Sequence, residues 1–218
     1  MRGGDEVLVE ERLRALEERL RGPSRLKADL LTEARNGLLD AVEAYREDGL
    51  PAAEARRRAV AEFGTPAQLA PAYQAELAVG ALRGLAWRVL AVAAAGIAAG
   101  DLTWRGASWS DGPRPPAGYL LLSASMDWLW FTAAVLGGLG VLVAGARRRS
   151  PVVDRLVGAG LTGLLALGGL AGAALFGWSV GLWDGALTWP PMIIGAVLVA
   201  AGFLWLGRAA RGWVHAVR

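Results

Sequence analysis

The chain has 218 residues, of which 54% are hydrophobic and 20% charged, and its formal net charge is +3. It contains no cysteine and one histidine, which excludes disulfide frameworks, thiol catalysis, transition-metal sites and histidine-based catalytic triads. The serine patterns G-x-S-x-G and S-x-x-K each occur once, at Gly177-Trp178-Ser179-Val180-Gly181 and at Ser24-Arg25-Leu26-Lys27. No strand is predicted before the first, and no S-D-N or K-T-G motif accompanies the second, so neither indicates a serine nucleophile. We therefore expect neither enzyme activity nor a cofactor.

Charge is divided unevenly along the chain. Residues 1–79 contain 12 Lys and Arg against 15 Asp and Glu, a net charge of −3, and the remainder carries +6. Proteins that bind nucleic acid usually concentrate positive charge on one soluble face, whereas the polar region of this chain is mildly acidic. Direct binding of nucleic acid is therefore not expected, and the basic isoelectric point reflects the apolar two-thirds.

Residues 1–79 are predicted to form a compact cytoplasmic domain of three to four helices. In the first helix, over residues 5–21, apolar side chains recur at the spacing of one helix face; they are Val9, Leu13, Leu16 and Leu20. Gly22-Pro23 ends this helix. Further helices are predicted over residues 24–48, over 52–63 and from 66 onward. Because no Gly/Ser-rich linker follows, we expect the last of them to continue into the membrane as a stiff junction.

Three consecutive arginines, Arg56, Arg57 and Arg58, lie on the predicted third helix. A run of like charge is most often a solvated helix face. The alternative is a docking surface for an acidic groove on a protein partner.

The N-terminal region also carries the motifs by which the chain resembles a known family. The motifs, over about residues 8–78, are Leu13-x-x-Leu16-Glu17-x-x-Leu20-x-Gly22-Pro23, Lys27-x-Asp29-Leu30-Leu31-x-Glu33-Ala34-Arg35, Gly49-Leu50-x-x-x-Glu54-Ala55 and Ala59-Val60-x-Glu62-Phe63-Gly64-Thr65-Pro66. They resemble the HAAS signalling domain, or permease prefix domain 1, of actinobacterial-type membrane proteins. The resemblance implies a cytoplasmic regulatory module fused to membrane spans and associated with PadR-type transcriptional regulators, and it implies no catalytic residues.

Four apolar segments follow, and each is close to the about 20 residues that cross a bilayer as a helix. They cover residues 85–103, 128–146, 156–176 and 189–206. Basic residues gather before the first segment, between the second and third, and after the fourth. Cytoplasmic loops retain Lys and Arg, so this alternation predicts a multi-pass protein of the cytoplasmic (inner) membrane with both termini in the cytoplasm. The predicted fold is all-α, with the domain of residues 1–79 followed by a four-span transmembrane domain, 80–218.

The segments offer few groups for chemistry, and these lie near the predicted outer surface. The candidate outer acidic and aromatic site consists of Asp101, Asp127, Asp184, Trp128 and Trp183. A carboxylate inside the membrane is a functional candidate by default. We favour the alternative that these are solvated carboxylates at helix ends, with tryptophans anchoring the spans at headgroup depth.

Glycines recur at four-residue spacing in the spans, in Gly96-x-x-x-Gly100 and Gly168-x-x-x-Gly172. Small residues let membrane helices approach closely. We expect packing within the chain, and a homo-oligomer interface is the second interpretation.

Two functions fit these features. The first is a membrane-anchored regulatory protein whose cytoplasmic domain binds a protein partner, with a PadR-type regulator as the candidate implied by the resemblance. The second is an accessory subunit of a transport system or a small permease. The regulatory function is favoured mainly because of the N-terminal domain. In addition, the predicted spans lack the polar midplane residues and broken helices of a translocation path. In either case the lipid bilayer is a partner.

Overall fold

The computed structural model describes residues 3–104, 114–146, 150–183 and 185–218, with the side chains of 3–7 and 98–104 left aside. It is 89% helical, and within these residues it contains seven α-helices and no strand. The all-α prediction is confirmed. The helices are α1 Gly3–Glu17, α2 Ser24–Glu47, α3 Ala52–Phe63, α4 Pro66–Trp104, α5 Ala117–Gly145, α6 Pro151–Leu182 and α7 Pro190–Val217, with a 3₁₀ turn at Ala186–Thr188 before α7.

The chain divides into two compact units. The head unit consists of Met1–Ala81 together with Gly212–Arg218, and the bundle unit is Leu82–Arg211. Helices α4 and α7 each contribute residues to both units. No local pattern in the C-terminal segment indicated that it would pack with the N-terminal helices, and we had assigned it to the transmembrane domain.

An apolar core holds α1, α2 and α3 of the head unit together. The buried residues of this core are Val9, Leu13, Ala34, Leu38, Val42, Ala55, Ala59 and Val60. A second apolar group, Leu16, Leu20 and Leu77, joins α1 to the first part of α4. Val9, Leu13 and Leu16 of the predicted α1 stripe are buried, since a spacing of three to four residues places them on one helix face. Leu20 is buried too, although α1 ends at Glu17 and not at the predicted Gly22-Pro23.

The ends of the head helices follow from local sequence. After α2, Gly49 has a φ of 90°, and the amides of Gly49 and Leu50 bond to the carbonyls of Arg46 and Tyr45 at 3.0 and 3.1 Å. This is the Schellman pattern, in which glycine adopts the left-handed conformation that closes a helix. At the start of α4, the Gln68 side chain accepts from the Thr65 amide at 3.0 Å, and the Gln68 amide donates to Thr65 Oγ1 at 3.3 Å, which together form a capping box.

Gln74 of α4 connects three segments of the head unit. Its Nε2 donates to the carbonyls of Arg21 and Ala216, both at 2.7 Å, and its Oε1 accepts from the Arg21 amide at 2.9 Å. Trp213 and Ala216 of the C-terminal segment are buried. The end of α7 is therefore fixed in the head unit by both apolar packing and hydrogen bonds.

Small residues allow the helices of the bundle unit to pack closely. An ideal Cβ on Gly140 of α5 would lie 2.9 Å from the Cβ of Ala86 on α4, and one on Gly96 would lie 2.9 Å from the Trp130 ring. Gly168 contacts Phe203 of α7, whereas an added Cβ on Gly172 would meet nothing within 4 Å. Packing within the chain thus accounts for Gly96 and Gly168, and the homo-oligomer interface stays a prediction.

Large apolar side chains face outward from the bundle unit. Leu121, Leu142 and Leu170 are each more than 70% exposed, and in water such surfaces would be a strong aggregation hazard. Helices α4 to α7 are all long and apolar enough to cross a membrane. The chain is therefore a multi-pass membrane protein. Helix α5 begins eleven residues before the predicted second span, because Tyr119–Leu122 extends the apolar stretch back to Pro116.

Candidate functional site

The three consecutive arginines of α3 point in different directions, because successive residues of a helix are about 100° apart. Arg56 is half-buried, and its Nε donates to the Ala52 carbonyl at 3.1 Å. Arg57 and Arg58 are exposed. Two of the three predicted docking residues are therefore accessible to a partner.

Arg58 belongs to an exposed side-chain group with Tyr45 of α2 and Glu62 of α3, which we call the Tyr45 cluster. Arg58 Nε lies 3.3 Å from Glu62 Oε1, and its guanidinium carbon lies 4.9 Å from the centre of the Tyr45 ring. The Tyr45 hydroxyl donates to Glu62 Oε2. An ion pair, a hydrogen bond and a cation–π contact thus hold Arg58 against the α2–α3 surface.

These contacts fix the charge state of the Tyr45 cluster. Hydrogen bonds from Tyr45 and then from Arg58 lower the pKa of the Glu62 carboxyl. The hydrogen bond to Glu62 is also the main reason that the pKa of the Tyr45 phenol is raised. At neutral pH the cluster therefore combines a neutral phenol, a carboxylate and a guanidinium. Arg57, outside the cluster, adds one positive charge to this surface.

The sequence analysis missed Tyr45 and Glu62 as part of this surface. The four-residue step from Arg58 to Glu62 is the spacing of an ion pair along one helix face, so it could have revealed Glu62. Tyr45 lies on the other helix, α2. Its hydroxyl reaches Glu62 because α2 and α3 pack together, which no local spacing reveals.

The head unit also contains an open polar groove of about 280 Å³ between α1 and α2. Arg14, Glu10 and Arg35 are among its lining residues. Glu10 pairs with Arg35 at 2.6 Å, which joins the two helices across the groove. The ion pair between Glu10 and Arg35 therefore neutralises part of the charge that lines the groove.

Trp183, from the predicted outer site, is buried in an aromatic group at the ends of α5 and α6. It meets the Tyr119 ring edge-on at 5.6 Å, and Trp178 does the same at 6.0 Å. The Tyr119 hydroxyl lies 3.0 Å from Ser179 Oγ, which itself donates to the Leu175 carbonyl at 2.8 Å. Since serine has one hydroxyl proton, Tyr119 is the donor to Ser179. Trp183 therefore serves in packing between α5 and α6.

Two other residues of the predicted outer site, Trp128 and Asp127, do not join this group. Trp128 is 72% exposed, and nine residues of helix place it on the opposite side of α5 from Tyr119. Asp127 is exposed and lies ten residues, about 15 Å of helical rise, beyond Ala117. Asp184 and the side chain of Asp101 lie outside the described residues. Convergence of the three carboxylates stays a prediction.

A small apolar cavity of about 20 Å³ lies among the four helices of the bundle unit, with Val89, Trp130, Leu165 and Phe203 among its lining residues. A space of this size and character has room for little more than one water and has no polar partners to hold it. Among the described residues, no three His, Asp or Glu side chains gather as metal ligands would. These features of the described part of the bundle give no support to transport of a polar solute.

No protein-family model, curated protein or solved structure matches the chain. The resemblance to the HAAS domain therefore depends on the motifs of the N-terminal region alone.

Proposed function

We propose that this chain is a membrane-anchored regulatory protein whose head unit binds a protein partner in the cytoplasm. The observation that carries the proposal is the exposed α2–α3 surface with Arg57 and the Tyr45 cluster, on a helical unit that has its own apolar core. The remainder of the chain supplies four membrane-spanning helices.

The partner that fits this surface presents carboxylates and an apolar or aromatic rim. Arg57 offers a mobile cation, and Arg58 is pre-organised by Glu62 and Tyr45, so that less side-chain entropy is lost on binding. The motif resemblance favours a PadR-type transcriptional regulator as this partner. Binding to the regulator, with no direct contact to DNA, is consistent with the net negative charge of residues 1–79.

The binding test uses the full chain in nanodiscs and a purified PadR-type regulator encoded beside it. We expect saturable binding, which Arg57→Glu weakens about tenfold or more by reversing a charge in the contact. Arg25→Glu is the matched control, because Arg25 is also exposed in the head unit but lies in the first turn of α2. Equal binding by wild type and Arg57→Glu would reject the α2–α3 surface, and no binding by the wild type would reject the regulator as partner.

The cytoplasmic location of the head unit is part of the proposal and has its own test. The alternation of basic connections predicts that reporters fused in the first and third connections between spans lie outside the cytoplasm and that one in the second lies inside. The fusion position is Ser110 in the first connection, Ser150 in the second and Leu182 in the third. The reverse pattern would place the head unit on the wrong side for a cytoplasmic partner.

A further inference from the structure

Arg88 of α4 is held in a defined position against α7 in the bundle unit. Its guanidinium carbon lies 5.3 Å from the centre of the Trp205 ring, and its Nη1 donates to the Gly84 carbonyl at 3.0 Å. Arg88 is half-buried, whereas Trp205 is 45% exposed. Both side chains are therefore partly accessible from outside the bundle unit.

The absence of a side chain at Gly84 leaves room for the Arg88 guanidinium. A Cβ added to Gly84 would lie 2.9 Å from Arg88 Nη1, which is closer than real Cβ contacts allow. Because the conflict is with the end of a flexible side chain, an alanine would displace the guanidinium without forcing the helices apart. The position of the guanidinium therefore depends on Gly84 as well as on Trp205, and it can be disturbed without removing the charge of Arg88.

The location along the helices is that of lipid headgroups. Arg88 lies six residues into the bundle-unit part of α4, and Trp205 lies where the apolar run of α7 gives way to Arg208 and Arg211. Tryptophan favours this depth because its ring is apolar and its N–H is a donor. Arg208 is exposed and lies about 4.5 Å of helical rise beyond Trp205. We call Arg88, Trp205 and Arg208 the Arg88 site.

The positive charge of the Arg88 site favours the binding of an anion. Among the residues that the structure describes, no carboxylate forms an ion pair with Arg88. Guanidinium has five N–H donors in a planar fork, and the Gly84 carbonyl uses one of them, so the rest remain for a phosphate. Stacking on the indole orients the fork and reduces the entropy lost when it binds a tetrahedral anion.

We propose that the Arg88 site binds the phosphate of an anionic phospholipid, with the acyl chains against the exposed apolar surface of α7. Leu204, next to Trp205, is 60% exposed and provides part of that surface. This goes beyond the proposed function, since it assigns a lipid ligand to the bundle unit and does not depend on any partner of the head unit.

The test measures lipid binding to the delipidated full chain in detergent by native mass spectrometry, with phosphatidylglycerol as the anionic probe and phosphatidylcholine as the zwitterionic one. We expect phosphatidylglycerol to bind more tightly, and Arg88→Gln to weaken it about fivefold. Gly84→Ala should weaken it in the same direction while keeping every charge. Arg155→Gln is the matched control, because Arg155 is exposed in the first turns of α6 and its loss changes the net charge equally.

Each arm of the experiment can overturn the proposal. Equal binding of the two lipids would show that the site does not select a negative headgroup. Equal weakening by Arg155→Gln and Arg88→Gln would show attraction to surface charge in general, without a site. Binding of soluble glycerol phosphate as tight as that of phosphatidylglycerol would replace the lipid by a free phosphate ligand. If Arg88→Gln fails to fold, Gly84→Ala decides the outcome alone, and unchanged binding by it would reject the assigned geometry.

Discussion

Replacing Gln74 by leucine should release the C-terminal segment from the head unit. The wild-type amide makes three hydrogen bonds, to the Arg21 amide, the Arg21 carbonyl and the Ala216 carbonyl. Leucine has a similar size and no polar atom, so it removes all three while leaving room for the apolar contacts of Trp213 and Ala216. The two Arg21 bonds are at an exposed position and the Ala216 bond is partly buried.

The free energy lost in Gln74→Leu can be estimated from how exposed these hydrogen bonds are. A hydrogen bond contributes a net of about 0.5–1.5 kcal/mol to stability, and exposed bonds lie at the lower end because water replaces the lost partner. Three such bonds give about 1.5–3 kcal/mol for the local opening of this junction. Since about 1.4 kcal/mol is a factor of ten, protection of the Arg21 amide against hydrogen exchange should fall by about 10- to 100-fold.

Hydrogen exchange with mass spectrometry on the full chain in detergent measures this protection for peptides around Arg21 and over residues 212–218. Gln74→Glu separates the bond that Gln74 accepts from the bonds that it donates. A carboxylate can still accept from the Arg21 amide, but it cannot donate to the carbonyls of Arg21 and Ala216. It should release residues 212–218 while protecting the Arg21 amide better than leucine does. Unchanged exchange in both peptides of Gln74→Leu would refute the role we assign to this side chain.

Three further changes test other parts of the structure. The pKa of Glu62 is lowered in the folded state, so its contribution to stability is present above its ordinary pKa of 4.5 and is lost as the pH falls through the folded value. The thermal unfolding temperature of the wild type should fall over this pH range, and that of Glu62→Gln should depend less on pH. Gly140→Ala should cost about 1–3 kcal/mol by overpacking against Ala86, whereas Gly138→Ala, with open space around it, should leave thermal unfolding in detergent unchanged. Thr65→Ala should cost about 0.5–2 kcal/mol through loss of the α4 cap, which faster amide exchange at the start of α4 would report.

The local features of the fold could be predicted because they depend on nearby residues. The stripe from Val9 to Leu20 repeats with the helical period, and Gly49 and the Thr65–Gln68 box mark helix ends by their own backbone chemistry. Length and apolar composition similarly indicate the membrane helices. Each of these signals acts within a few residues of the chain.

The features that escaped prediction depend on distant residues. Gln74 bonds to Arg21 and Ala216, which are 53 and 142 positions away, and polar spacing on α4 gives no hint of either. Trp183 was grouped with Trp128 by predicted depth. Trp183 packs against Tyr119, however, and Trp128 lies on the opposite side of α5 from Tyr119. Depth along a helix is readable from sequence, but the direction of a side chain around it depends on which neighbours pack there.

The composition of the head unit has a consequence for the order in which the protein is made. Gly212–Arg218 belongs to that unit and leaves the ribosome only after the whole of Leu82–Arg211. At roughly 5–20 residues per second, the N-terminal helices wait on the order of ten seconds before the Gln74 side chain can meet Ala216. Completion of the head unit therefore follows synthesis of the membrane helices, so a chain arrested before α7 would present its head unit in an unfinished form.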